Sequence, residues 1–170
     1  MGPGIVRGQR APDLTANRGE RVEVTAESAK EIYELPLLLT EADIDELEHV
    51  NNTVYLRWVQ EAAVAHWRHA ATETQQAEIV WVVLRHEIDY KRPARLGDVV
   101  KARTWVGTAS THAFDRHTEI VRDADGKLLA RARTVWCPID LETGRPMKVG
   151  DDVRRRFSVP AASGDLPLTE

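Results

Sequence analysis

Five carboxylates, Glu41, Asp43, Asp45, Glu46 and Glu48, crowd residues 41–48 and run directly into His49 and the pair Asn51 and Asn52. A helical pattern begins at that point. Asparagine is among the best helix N-caps, so the spacing predicts a helix starting at Asn51 or Asn52. Its first backbone N–H groups have no partner within the helix. With the positive end of the helix dipole they attract an anion, or an oxyanion as it develops. The carboxylates of the preceding loop are drawn to the same place. A carboxylate to attack or to activate water, beside N–H donors that hold charge growing on a carbonyl oxygen, is what acyl transfer to water requires. The combination points to thioester or ester hydrolysis.

The elements that must position this chemistry follow from periodicity. From Asn52 to about Ala71, apolar residues including Val54, Tyr55, Leu56, Trp58, Val59, Ala62 and Trp67 cover most of the helix circumference, which predicts a helix buried nearly all round. Tyr55, Trp58 and Trp67 are placed to line either a core or a substrate tunnel. Arg57, Gln60, Glu61 and Arg68 form one polar stripe that must face water, a partner subunit or a ligand. Residues 31–40 read as a first strand, with Pro36 suited to an edge or a bulge. Residues 78–93 read as a long strand with Val82, Leu84, His86, Ile88 and Tyr90 on one face. Further strands are expected over 98–108, 111–123 and 127–140, the last two joined by an Asp125-Gly126 turn, and a short closing helix over 150–157. A helix so buried in a chain this short needs a sheet that curls about it, and four strands joined by short turns form an antiparallel meander able to do so. The expected fold is α+β, a hotdog: an antiparallel sheet wrapped around one long central helix. The domain spans 30–157; residues 1–29 and 158–170, rich in Gly, Pro and polar residues, read as loose tails.

Composition narrows the functions. The 170-residue chain has the length of one domain, and its net charge of −4 with dispersed Lys and Arg gives no electrostatic footprint for nucleic acid. A single cysteine, Cys137, forms no internal disulfide or multi-cysteine zinc site and fits a reducing cytosol. No apolar run reaches the length of a membrane span or signal peptide, so a soluble, cytoplasmic protein is expected. His86 lies on the apolar face of its strand, and no histidine or cysteine spacing supplies a second ligand, so no metal is expected.

The run Asp-Ile-Asp-Glu-Leu-Glu-His-Val-Asn-Asn-Thr-Val-Tyr-Leu, residues 43–56, resembles the signature of hotdog-fold acyl-CoA thioesterases of the 4-hydroxybenzoyl-CoA thioesterase type. Residues 90–106 and 130–149 are similar to that family's second and last strands, and the resemblance covers roughly residues 32–157. It implies Asp45 as nucleophile or general base and the backbone N–H near Asn52 as oxyanion donor. His49 matches a histidine shared with plant acyl-carrier-protein thioesterases. The chain departs at Glu48, where most bacterial members have glycine, and at Leu47, where the plant type has asparagine. The resemblance further implies sites between subunits of a homodimer, with assembly to a tetramer open, and no cofactor, since coenzyme A is part of the substrate.

Each candidate also has a plainer role. Asp45 reads otherwise as a solvated or capping carboxylate, and Asp43, Glu46 and Glu48 as solvent-facing. His49 orients Asp45, binds substrate, or merely bonds to backbone; Asn51 and Asn52 cap the helix and set the oxyanion geometry together. Glu61, four residues after Arg57, reads first as an ion pair and is the reserve catalytic carboxylate. Lys91, Arg92 and Arg95, and less so Arg154, Arg155 and Arg156, are candidates for coenzyme A phosphates or serve solubility alone. The resemblance implies an acyl-CoA or acyl-carrier-protein thioester as the substrate. Two other functions stay open: a non-catalytic acyl-CoA binding module, and a hotdog dehydratase or hydratase.

Overall fold

The structure, a computed structural model, describes residues 31–157; the expected tails at 1–29 and 158–170 lie outside the described residues. In chain order the elements are β1 (Tyr33–Leu37), α1 (Asn52–Ala70), α2 (Glu73–Glu78), β2 (Ile79–Tyr90), β3 (Val100–Ala109), β4 (Phe114–Arg122), β5 (Leu128–Asp140) and α3 (Asp151–Arg156). The strands form one antiparallel sheet in the order β1-β3-β4-β5-β2. α1 packs against the sheet across β1, β3 and β4, which is the expected α+β hotdog arrangement. Pro36 sits on the edge strand β1, where a missing N–H costs no ladder bond on the open side.

Three expectations are corrected. β3, β4 and β5 form a meander, but β2 lies against β5 rather than β3, so the chain crosses the sheet through residues 91–99. α1 is not buried nearly all round: Val54, Tyr55, Trp58, Val59, Ala62, Ala63 and His66 make one buried face, while Leu56 is 38% exposed. The apolar residues overcount burial because one curled sheet covers only one side of a helix.

The third correction is in β2. Trp81 and Val83 face the core, then the register with β5 shifts between Val83 and Arg85, and His86 and Ile88 become the inward residues. A bulge inserts one unpaired residue, Leu84, and so reverses the alternation. Val82 and Leu84, expected on the same face as His86, are instead exposed. The short helix α2 was not expected from the sequence. Its signal is a capping box, in which Thr72 Oγ1 accepts from Gln75 N and Gln75 Oε1 from Thr72 N.

Candidate active site

The acidic loop is a closed turn. Ile44 and Val50 form an antiparallel bridge, Asp45 N donates to His49 O at 2.7 Å, and Glu48 N donates to Asp45 O at 3.0 Å. Glu48 has a φ of 59°, in the left-handed region that favours glycine. The position where the family resemblance leads one to expect glycine thus carries an L-residue in that region. Asp45 supplies part of the hold, since its Oδ1 accepts from Leu47 N at 2.9 Å and from His49 N at 3.2 Å. Its Oδ2 accepts from no group among the described residues.

Two further bonds fix this loop against the rest of the fold. Asn51 N donates to Asp43 O and Val50 N to Ala94 O, both at 2.9 Å. Asp43, expected to face solvent, is only 4% exposed. Its Oδ2 accepts from Thr40 N and Thr40 Oγ1, and its Oδ1 from Arg57 Nη2 at 2.8 Å. Burial pushes this carboxyl up, but the bonds from Thr40 and Arg57 outweigh it and hold Asp43 below the usual carboxylate range. Asp43 is a brace between the loop and α1. Glu46 and Glu48 are exposed, as expected.

Asn51 is the N-cap of α1: its Oδ1 accepts from Thr53 N at 2.9 Å and Thr53 Oγ1 at 2.8 Å. Val54 N is taken by Asn51 O. The Asn52 amide is left as a first-turn donor with no acceptor among the described residues.

Asp45, His49, Asn52, Tyr55, Lys91 and Arg92 line one cavity of about 320 Å³, together with Val50, Tyr90 and Pro93. The structure thus brings together six of the expected site residues and leaves two outside it. Asn51 acts behind the wall as the cap. Glu61 lies on the exposed polar stripe and pairs with Arg57 at 3.5 Å. His49 bonds to Asp45 through its backbone, and its Nε2 is buried with no partner among the described residues. Tyr55 Oη accepts from Ala94 N at 2.9 Å, and burial pushes its phenol up.

Tyr90 is the lining residue that sequence reasoning missed. Its hydroxyl donates to Asn52 O at 3.1 Å and its ring meets Tyr55 edge-on. Strand alternation assigned it to one face with His86 and Ile88; past the bulge at Leu84 that face turns toward α1, and at the strand end Tyr90 is half exposed rather than in the core. Lys91 pairs with Asp89 at 3.1 Å, and Arg92 Nη1 donates to Leu128 O. Of the second basic cluster, Arg154 is buried and donates to Ala109 O and Ser110 O. His86 faces inward with Nδ1 3.0 Å from Thr134 Oγ1, and burial lowers its pKa. Among the described residues no group of His, Cys, Asp or Glu is placed to hold a metal ion, and no helix is long and apolar enough to cross a membrane.

Residues 39–157 match the model of the thioesterase-like superfamily. The palmitoyl-acyl carrier protein thioesterase of Gossypium hirsutum is 30% identical over 121 residues, 66% of this chain and 29% of that protein. The oleoyl-acyl carrier protein thioesterase 1 of Arabidopsis thaliana is 33% identical over 89 residues, 52% of this chain and 24% of that protein. The chain therefore spans less than a third of the length of these curated relatives. Among solved structures, a thioesterase from Thermus thermophilus complexed with coenzyme A and Zn has 26% identity and a TM-score of 0.63, covering 73% of this chain and 90% of that one. A 1,4-dihydroxy-2-naphthoyl-CoA thioesterase from Synechocystis has 21% identity and a TM-score of 0.65, covering 75% and 96%, which speaks for the fold.

Proposed function

The chain belongs to the thioesterase-like superfamily, and on that premise we propose that it hydrolyses an acyl thioester to the free acid and thiol. The observation that carries the reading is the one cavity lined by both Asp45 and Asn52, whose amide has no acceptor among the described residues, beside Lys91 and Arg92. With Asp45 as general base, Oδ2 takes a proton from water as the water oxygen bonds to the acyl carbon. The carbonyl electron pair moves onto oxygen, where the Asn52 N–H receives it. Return of that pair breaks the C–S bond, and the thiolate takes up the proton from Asp45. With Asp45 as nucleophile, Oδ2 itself bonds to the acyl carbon as the C–S bond breaks and the thiolate leaves; water then cleaves the mixed anhydride, freeing the Asp45 carboxylate and the proton that the thiolate takes up.

Lys91 and Arg92 suit the phosphate that the coenzyme A and acyl-carrier-protein arms have in common. The Asp43-x-Asp45 and His49-Val50-Asn51-Asn52 runs support the 4-hydroxybenzoyl-CoA type within the superfamily. The proposed reaction draws on no cofactor beyond the substrate's own carrier. A reducing cytoplasm suits a chain with one cysteine, Cys137.

The proposed assembly is a homodimer. β2 is a 12-residue edge strand with Val80, Val82 and Leu84 exposed, and pairing it across a two-fold axis closes that edge. A stable monomer in gel filtration at micromolar concentration contradicts the dimer.

Release of free thiol from a panel of acyl-CoA and acyl-carrier-protein thioesters tests the function. Wild type turns over at least one, Asp45→Asn loses about a hundredfold or more of the rate, and Glu61→Gln keeps it. Full activity in Asp45→Asn removes Asp45 from the chemistry. Binding without turnover on every substrate favours the non-catalytic module.

A further inference from the structure

A second cavity, of about 380 Å³, lies between α1, α2 and the sheet, beside Phe157, and has no lining residue in common with the Asp45 cavity. Its walls are aromatic: Trp67, Trp81, Phe114, Trp136 and Phe157. One charged side chain among them is buried. Arg116, on β4, is 7% exposed, and no carboxylate pairs with it among the described residues. A guanidinium carries five N–H donors. Here only Nη1 finds acceptors, His66 Nδ1 at 2.9 Å and Thr104 Oγ1 at 3.2 Å. Nε and Nη2 have no acceptor among the described residues.

The neighbours of Arg116 supply no counterion: Phe157 offers only its ring face, 5.9 Å from Arg116 Cζ. His66 is fully buried, and burial followed by the nearby Arg116 charge lowers its pKa to about 3, so it is neutral at pH 7. Its Nδ1 accepts from Arg116, which puts the imidazole proton on Nε2, itself buried without a partner. Arg154, the other buried arginine, lies over the Phe114 ring at 5.2 Å and adds positive charge. A buried cation without a counterion is costly, and a bound carboxylate removes that cost. The aromatic walls meanwhile offer burial to an apolar body.

We propose that this cavity binds a carboxylic acid with an apolar body, a fatty or aryl carboxylate, with the Arg116 guanidinium as its charge partner. The bidentate geometry of a guanidinium suits a carboxylate better than any single-oxygen ligand. The inference does not need thioester hydrolysis, although it is the class of product that such hydrolysis releases.

Calorimetric titration of the full chain with octanoate, 1-octanol and octyltrimethylammonium tests it, with tryptophan fluorescence as a second readout because Trp67, Trp81 and Trp136 line the cavity. Octanoate is expected to bind tenfold or more tightly than octanol, and the ammonium compound not at all. Arg116→Gln is expected to lower octanoate affinity to that of octanol while leaving octanol unchanged, which also reports an intact cavity. Equal affinity for octanoate and octanol overturns the proposal, as does octanoate binding undiminished in Arg116→Gln, or no octanoate binding at millimolar concentration. If Arg116→Gln does not fold, the comparison of octanoate with octanol on the wild type decides alone. None of these readouts depends on turnover, so failure here is distinct from failure of the hydrolase reading.

Discussion

At the scale of single residues, the acidic loop separates into parts with different work. Asp45 lines the cavity and holds the turn through Oδ1, while its Oδ2 accepts from no group among the described residues, so in the proposed reaction one side chain is both scaffold and reagent. Asparagine in its place can still accept the two amides, which is why Asp45→Asn is expected to lose rate with little loss of stability. Glu48 makes the opposite prediction. An L-residue in the left-handed region costs about 1–2 kcal/mol, partly offset by the greater freedom of glycine in the unfolded chain. Glu48→Gly is expected to stabilise the fold by about 1 kcal/mol, read as a higher urea midpoint at unchanged slope. A lower midpoint refutes the strain. Tyr55→Phe leaves the N–H of fully buried Ala94 without its acceptor, and is expected to cost about 1–3 kcal/mol in the same measurement.

At the scale of elements, the site depends on where α1 begins and where β2 turns. Asn51→Ala removes the cap of α1 and is expected to destabilise by about 1 kcal/mol, while Asn51→Asp keeps the acceptor for Thr53 N. Because the same cap orients the Asn52 amide, Asn51→Ala is also expected to lower kcat more than Asn51→Asp does; equal kcat in the two variants detaches the cap from the oxyanion site. The start of α1, the turn at Gly126 and the strand positions were legible in the sequence because they rest on local rules: capping, positive φ (65° at Gly126) and alternation. The bulge at Leu84 was not, since no residue type demands it and only pairing with β5 reveals it. Tyr90 entered the cavity through that bulge.

At the scale of the whole molecule, burial on one side of α1 creates a polar cluster of His66, Arg116, Thr104 and Thr118 inside the core. Its pH dependence has a definite sign. His66 titrates at about 3 in the folded chain against an ordinary 6.5. Above about 6.5 the imidazole is neutral in both states and its contribution is fully present. As pH falls from about 6.5 toward 3 the unfolded chain takes up a proton that the folded chain refuses, so stability is lost at up to about 1.4 kcal/mol per pH unit. The melting temperature is expected to fall between pH 6.5 and 4.5, more steeply in the wild type than in His66→Gln. Equal slopes refute the assignment.

The fold class and the acidic loop running into a capped helix follow from the order of residues, because they rest on periodicity and on neighbours close along the chain; which of the five carboxylates faces Asn52 across the cavity was given only by the family resemblance. The register of β2, the brace at Asp43, the entry of Tyr90 and the burial of Arg116 arise only once the chain has folded. Each depends on a partner far away in sequence: Val135 on β5 opposite Arg85 past the bulge, Arg57 on α1 for Asp43, Asn52 for Tyr90, and His66 on α1 for Arg116. Charge and hydropathy at such positions say that a side chain is polar, not whether the folded chain will surround it.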